Sequence, residues 1–203
     1  MLAHVELECS TGDILGIFGR NGSGKSTLLK LIFGILKADA ISYSINDIGI
    51  NPADNLTESY VSYLPQDSFL PKSIKVRDVI PLMFPKEEKQ DNVFYDAFIA
   101  KIAARTIGTL SLGELRYLEV ILIGNLDSKF LMLDEPFSMI EPLHKDAIKE
   151  YFQKIRKSKG IILTDHYYED VLNVTDRNIV LKKGRSIAVK DQEDLKKFGY
   201  LNH

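Results

Sequence analysis

The chain has 203 residues, a hydrophobic content of 45%, a charged content of 27% and a formal net charge of -2 at pH 7. This length allows one sizeable domain with its own core, and the near-neutral charge gives no whole-molecule attraction for nucleic acid, so none is expected as a partner. The single cysteine, Cys9, excludes an internal disulfide and indicates a reducing cytosol, and no apolar run approaches the roughly 20 residues needed to cross a bilayer.

The first predicted elements are a short buried strand and the helix that follows it. Residues Ile14–Phe18 are continuously apolar, and apolar residues recur at helical spacing between residues 25 and 36. Two strands separated by polar turns are then predicted over the stretches AISYSINDIGI and SYVSYLP. This part of the chain therefore begins with a strand, a helix and further strands.

The pattern changes over residues 71–125. Strand-like runs disappear there, and Phe94, Phe98 and Ile102 mark one face of a single helix. We therefore expect residues 71–125 to form a helical subdomain inserted into a sheet domain made of residues 1–70 and 126–203.

The last third of the chain returns to alternating strands and helices. Buried strands are predicted in FLMLDEP and GIILTDH, and between them a helix is expected to begin with Pro142 in its first turn and to end near residue 158. A hairpin turning at Lys183 and Gly184 is predicted over NIVLKKGRSIAV. Short buried strands that alternate with helices predict an α/β fold with a mostly parallel sheet covered on both faces.

A glycine-rich junction between the first strand and the first helix carries the clearest chemistry. Gly19, Gly24, Lys25 and Ser26 fit the pattern G-x-x-x-x-G-K-[ST], in which backbone N–H groups and the positive end of a helix surround phosphates. Lys25 is predicted to reach the terminal phosphates, Ser26 to bind magnesium and Thr27 to add a phosphate contact. The predicted nucleoside-triphosphate site consists of Gly19, Asn21, Gly22, Ser23, Gly24, Lys25, Ser26 and Thr27.

Two carboxylates end the buried strand FLMLDE. Ligands of open parallel sheets lie at the carboxyl ends of the strands, so Asp134 is predicted to hold the magnesium ion, directly or through water. Glu135, one residue further, is predicted to face the attacking water as general base. The alternative is a solvated acidic pair before Pro136, which the presence of the glycine loop disfavours.

His166 ends the next buried strand and is therefore expected at the same sheet edge. A lone histidine is more often a structural hydrogen-bonding group than a catalytic one. At this edge, however, the imidazole is predicted to bond the terminal phosphate and to respond to its loss.

Six motifs in the same order make the chain resemble the ATP-binding cassette (ABC) ATPases over nearly its whole length. GRNGSGKST matches the family's phosphate loop, YLPQD its glutamine loop, LSLGE its signature LSGGQ, LMLDEP its second phosphate-site strand, SMIEPL its D-loop and TDH its switch histidine. The resemblance implies a P-loop NTPase cassette with a mostly parallel sheet flanked by helices, a small antiparallel β part shortened at the N-terminus, and an inserted helical subdomain. It also implies that Gln66 contacts magnesium and water.

The resemblance further implies how such a cassette works. Two cassettes pack head to tail around two ATP molecules, and Ser111 and Gly113 of one subunit contact the nucleotide held by the other. A second copy of the same chain is favoured over a different cassette. A membrane-spanning permease subunit would receive the resulting motion in a groove beside Gln66, which implies a cytoplasmic protein held at the inner face of the cell membrane.

The chain departs from the family pattern at three places. Leu112 replaces the first glycine of the signature, and Glu141 replaces the usual final aspartate of the D-loop. Residues 1–17 also contain no aromatic residue that could stack on adenine. These departures leave open a degenerate cassette with little hydrolysis as an alternative to the transporter ATPase. A soluble cassette of the iron–sulfur assembly type is a second alternative, because cassettes of that type are also single.

Overall fold

A computed structural model describes residues 2–201, and in it strands and helices alternate along most of the chain. In chain order the elements are β1 (Ile14–Phe18), α1 (Lys25–Phe33), β2 (Ser44–Ile45), β3 (Ile48–Gly49), α2 (Asn55–Glu58), β4 (Val61–Leu64), α3 (Val76–Met83), α4 (Glu87–Phe94), α5 (Ala97–Ile102), α6 (Leu112–Gly124), β5 (Phe130–Asp134), α7 (Pro142–Ile155), β6 (Gly160–Thr164), α8 (Tyr168–Leu172), β7 (Arg177–Lys182), β8 (Arg185–Val189) and α9 (Gln192–Lys197).

The main sheet has the strand order β4-β5-β6-β1-β7-β8. Its first five strands run parallel, and only β8 is antiparallel to its neighbour β7. In this register Thr164 at the end of β6 is level with Asp134 of β5 and with Ile17 of β1. The predicted mostly parallel sheet is confirmed, and it brings the carboxyl ends of β1, β5 and β6 to one edge.

The sheet is buried on both faces, which explains the continuous apolar runs of its strands. Along β5, Leu131 and Leu133 point into one apolar core while Met132 points into a second core on the opposite face. Ile14 and Leu15 of β1 are divided between the same two cores. The helices α6 and α7 cover one face and α1 covers the other, so the positions of the strand ends are fixed by packing.

Two predicted helix ends lie too far along the chain. The helix α1 ends at Phe33 and not at residue 36, because Gly34 adopts a left-handed conformation with φ of 90° and closes the helix. The helix α7 begins at Pro142 as predicted but ends at Ile155 rather than near residue 158. The hairpin of β7 and β8 turns at Lys183 and Gly184, both with positive φ, as predicted.

The stretch AISYSINDIGI, for which strand structure was predicted, forms a small hairpin. Its two short strands, β2 and β3, pair antiparallel on either side of Asn46 and Asp47. Both turn residues have positive φ, 50° and 64°, which is the geometry of a tight hairpin turn that asparagine and aspartate tolerate. This hairpin is a two-stranded sheet separate from the main one.

Residues 71–125 are all described, and none of them belongs to a strand of either sheet. The prediction that Phe94, Phe98 and Ile102 share one helix is wrong, since α4 ends at Phe94 and α5 begins at Ala97. Asp96 causes the break, because its side chain accepts hydrogen bonds from the N–H groups of Phe98 and Ile99 and so caps a new helix. Within residues 2–201, every helix is too short or too polar to span a membrane.

Candidate functional site

The phosphate loop, residues 19–26, curls between β1 and α1. Gly22 and Gly24 have φ of 78° and 99°, a left-handed conformation that side chains rarely adopt. Gly24 is also the N-cap of α1. Because glycine has no side chain that could cap the helix, the first N–H groups of α1 are directed into the loop. The loop therefore presents backbone donors and the positive end of a helix to one point, which is the geometry that binds phosphate.

Lys25 and Ser23 place polar groups inside this loop. The Lys25 ammonium group is buried and donates to the Gly19 carbonyl at 2.7 Å. Burial lowers the pKa of Lys25, while the carboxylates of Glu135 and Asp134 act in the opposite direction. Among residues 2–201 the buried Ser23 hydroxyl has no hydrogen-bond partner, which is costly unless a ligand supplies one.

A cavity of about 380 Å³ opens over the loop. Its lining joins the phosphate loop to three side chains from other segments, and consists of Asn21, Gly22, Ser23, Gly24, Lys25, Ser26, Thr27, Gln66, Glu135 and His166. Of the other predicted residues, Gly19 lies below the cavity, where its carbonyl holds Lys25. The structure thus brings most of the predicted site residues into one cavity.

Asp134 lies at the end of β5 and is fully buried. One carboxylate oxygen accepts the Thr164 hydroxyl at 2.7 Å, and the other accepts the Tyr63 hydroxyl at 3.3 Å. Burial and the neighbouring Asp134 carboxylate raise the pKa of Tyr63, so its phenol remains a donor. Two neutral donors from β4 and β6 therefore hold the Asp134 side chain in place.

Glu135 contacts two of the other predicted site residues, His166 and Gln66. Its carboxylate lies 2.8 Å from His166 Nε2 and accepts the Gln66 side-chain amide at 3.0 Å. The Ser138 hydroxyl donates to it at 3.2 Å. Glu135 adopts φ of 58°, a left-handed conformation that is uncommon outside glycine and directs the side chain away from the strand.

Asp165 holds this part of the site together and was not singled out from the sequence. It is fully buried, and one oxygen accepts the N–H of Phe137 at 2.7 Å. The other accepts the N–H of His166 at 2.7 Å and lies 3.2 Å from the Ser138 hydroxyl, whose single proton it shares with Glu135 as the second acceptor. Burial raises the pKa of Asp165, while these N–H donors act against the rise. The residue lies within the quoted motif TDH, so its type and place were visible, but its contacts were not.

The predicted residues Ser111 and Gly113 do not reach the cavity. Ser111 caps α6, with its hydroxyl accepting the Glu114 N–H at 3.2 Å and its own N–H bonded to the Glu114 carboxylate at 2.8 Å. A side chain at Gly113 would collide with Glu141 and His144. The signature, residues 110–114, therefore packs against the D-loop, residues 138–143, and contributes no residue to the cavity over the phosphate loop.

The residues at the strand ends suit a magnesium ion held together with phosphates. Ser26, Gln66 and Asp134 offer hydroxyl, amide and carboxylate oxygens, which are the ligand types that this ion prefers. Within residues 2–201, no group of three or more His, Cys, Asp and Glu side chains could hold a metal by itself. This donor set fits an ion that also takes ligands from a bound triphosphate and from water.

Comparison with known proteins gives consistent results. The model of the family described as ABC transporter matches residues 2–138. The lipopolysaccharide export system ATP-binding protein LptB of Escherichia coli strain K12 is 30% identical over 196 residues, which span 91% of this chain and 81% of that protein. The protein of the same name from Haemophilus influenzae is 27% identical over 209 residues, 96% of this chain and 86% of that protein.

Solved structures share the fold. One described as the ATP binding subunit of an ABC transporter has a TM-score of 0.83 and 21% identity, and the alignment covers 100% of this chain and 88% of that one. Another, an ATP-binding cassette of an ABC transporter in its ADP conformation, has a TM-score of 0.79 and 24% identity over 97% of this chain and 87% of that one.

Proposed function

This chain belongs to the ABC transporter family, and we propose from that premise that two copies of it bind and hydrolyse ATP between them. It is an ATP-binding subunit of the type that drives a separate membrane-spanning transporter. The observation that carries the proposal is the Glu135 carboxylate, held by His166 and Gln66 at the mouth of a cavity whose floor is the phosphate loop.

The roles of the residues follow from their positions. The phosphate loop N–H groups and Lys25 bind the phosphates, and the Ser23 hydroxyl gains the partner that it otherwise lacks. Glu135 accepts the proton of the attacking water, and His166 contacts the terminal phosphate and keeps Glu135 oriented through their 2.8 Å contact. Magnesium, which Ser26, Gln66 and Asp134 would hold, supplies charge neutralisation of the phosphates.

The second copy is proposed because the signature contributes no residue to the cavity over the phosphate loop of its own chain. Ser111 is the N-cap of α6, a helix of 13 residues, whose positive end would face a phosphate bound by another subunit. Ser111 and Gly113 would thus complete the site across the interface. The similarity to ATP-binding proteins of an export system supports a peripheral location at a membrane through a transporter subunit.

The proposal is tested by comparing Glu135→Gln with Lys25→Ala. Glu135→Gln removes the proposed base but leaves the phosphate loop unchanged. This variant should therefore not hydrolyse ATP and should form a stable dimer in saturating ATP, which light scattering after size-exclusion chromatography measures. Lys25→Ala should lose both hydrolysis and the ATP-dependent dimer. A Glu135→Gln protein that stays monomeric at saturating ATP, or wild-type hydrolysis unaffected by Lys25→Ala, contradicts the proposal.

The transporter partner is tested separately. The tagged protein, extracted from native membranes with mild detergent, should co-purify with a polytopic membrane protein, and mass spectrometry of that protein identifies it. Recovery of only soluble partners in repeated extractions would instead favour a cassette that acts outside transport.

A further inference from the structure

The helix α6, which begins at the signature, carries a buried ion pair one turn further along. Arg116 and Glu119 are three residues apart, their side chains are only 8% and 2% exposed, and Arg116 Nη1 lies 3.3 Å from a Glu119 oxygen. Burying two charges costs more than their attraction returns unless additional hydrogen bonds satisfy them. The contacts that satisfy this pair all lie outside α6, on two segments of the candidate site.

The first of these segments is the Gln66 loop, residues 65–69, which follows β4. Arg116 Nη1 donates to the Pro65 carbonyl at 2.8 Å, and the second Glu119 oxygen accepts the N–H of Phe69 at 3.3 Å. The ion pair thus holds both ends of the loop, while Gln66 between them is exposed and reaches the Glu135 carboxylate.

The second segment is the end of β5. Arg116 Nη2 donates to the carbonyls of Asp134 and Glu135, the latter at 3.3 Å. Glu135 has a left-handed backbone, a conformation that persists only where its surroundings hold it. The guanidinium group is planar and rigid, so one side chain fixes the Gln66 loop and the backbone of Glu135 relative to each other.

We propose that Arg116, supported by Glu119, is a positioning residue that sets the Glu135 carboxylate and Gln66 in register with the signature helix α6. A movement of α6 displaces the Pro65 and Glu135 carbonyls together, because both are bonded to the same guanidinium. The position of the signature is thereby transmitted to the base within one subunit. This inference rests on the proposed function, since it assigns a role in the hydrolysis that Glu135 performs.

The alternative is that the pair only stabilises the core, and two variants separate the possibilities. Arg116→Lys keeps the positive charge but loses the planar guanidinium group, whose two Nη atoms join the Gln66 loop to the end of β5. The double variant Arg116→Met with Glu119→Leu replaces the pair by apolar side chains, an exchange that proteins often tolerate without loss of stability. Arg156→Lys is the matched control, because Arg156 bonds the Gly12 carbonyl and Asp176 at the opposite end of the strands.

The experiment measures kcat, KM for ATP and the urea midpoint of each full-length variant. For Arg116→Lys and the double variant we expect kcat to fall roughly 10- to 100-fold, as misplaced catalytic groups do, with KM nearly unchanged because the phosphate loop is untouched. The double variant should unfold at a lower urea concentration than wild type but stay folded in the assay, because the carbonyls of Pro65 and Glu135 and the N–H of Phe69 lose their partners. Arg156→Lys should keep wild-type kcat. Arg116→Lys and Gln66→Ala should also be non-additive in kcat, since both act on the same loop.

Two results would overturn the inference, and they are distinguishable. A folded double variant with wild-type kcat would reduce the pair to a core contact and leave the proposed function intact. A wild-type protein without ATP turnover that depends on Lys25 would remove the proposed function, and the positioning role with it.

Discussion

Glu135 depends on its neighbours for both its backbone and its carboxylate. Its left-handed φ of 58° is held by an N–H bond to the Thr164 carbonyl at 2.9 Å. Its carboxylate meets His166, whose loop is in turn held by Asp165. The geometry of the proposed base therefore depends in part on Thr164 and Asp165, which do not line the cavity.

Asp165→Asn tests this dependence. An asparagine has one acceptor oxygen, so its amide group cannot accept the N–H bonds that both Asp165 oxygens now take from Phe137 and His166. We expect the free energy of unfolding to fall by about 1–3 kcal/mol, the cost of unpaired buried donors, and kcat to fall because His166 is no longer held. Urea unfolding and steady-state ATPase assays measure the two effects.

Asp170→Asn is the matched control for that substitution. Asp170 pairs with Lys145 and Lys149, and the three side chains are 18%, 12% and 21% exposed, so Asp170→Asn should also lower the free energy of unfolding, by more than the roughly 0–1 kcal/mol of an exposed pair. The control should leave kcat unchanged. An Asp165→Asn protein with wild-type stability and kcat would show that the bonds of Asp165 do not constrain the site.

Sequence reasoning located the residues whose pattern is local. The spacing of Gly19, Gly24 and Lys25, and the two carboxylates that end an apolar strand, lie within a few positions of each other. Asp165 was quoted within its motif but given no role, because its partner Phe137 lies 28 residues earlier and only the sheet brings the two together. Arg116 was not predicted for the same reason, since its acceptors lie in the loop after β4 and at the end of β5.

At the scale of elements, strand positions were predicted better than helix ends. A buried strand is a short apolar run, and β1 has the predicted bounds. Helix ends depend on single residues, and Gly34 and Asp96 override the apolar spacing that would continue α1 and join α4 to α5. Both are residue types that commonly end or cap helices, so these two breaks could have been found from the sequence.

Lys159 links the elements at the end of the sheet opposite the cavity. It is buried just before β6, and its ammonium group donates to the Leu126 carbonyl at 2.6 Å and to the Ser128 carbonyl. Burial, with Lys89 nearby, lowers the pKa of Lys159 from 10.5 to about 8. The folded protein therefore releases this proton at lower pH than the unfolded chain does.

This pKa predicts a pH dependence of folding. Between pH 8 and 10.5, Lys159 binds more protons in the unfolded chain than in the folded protein. The contribution of Lys159 to the free energy of unfolding therefore rises with pH over this range and is lowest below pH 8. The free energy of unfolding should rise by something on the order of 2 kcal/mol. One pKa unit equals about 1.4 kcal/mol, and solvent screening reduces the value that the whole shift from 10.5 to about 8 would give. Lys159→Met should lose this rise while the exposed Lys157→Met keeps it, measured by urea unfolding at pH 7.5 and 10. Equal pH dependence in both variants contradicts the assignment.

At the scale of the whole molecule, the signature and the D-loop expose three large apolar side chains. Leu112, Met139 and Leu143 are 59%, 74% and 65% exposed, and the contact of Gly113 with Glu141 brings their segments together. Clustered exposed apolar side chains mark interaction surfaces in soluble proteins. We infer that a second copy covers them, with Leu112 adding apolar area where the family pattern has a glycine.

Met139 gives the sharpest test of that interface. It is 74% exposed in a left-handed turn of the D-loop, so Met139→Lys should fold normally and bind ATP, yet place a charge where two copies meet. In a Glu135→Gln background we expect ATP-dependent dimerisation to weaken at least about 10-fold, because burying an unpaired charge costs more than 1.4 kcal/mol. Tyr95→Lys is the control, since Tyr95 is 82% exposed and belongs to neither the D-loop nor the signature. Sedimentation velocity at several protein concentrations measures both dimer constants, and equal constants would mean that the D-loop edge stays in solvent when ATP is bound.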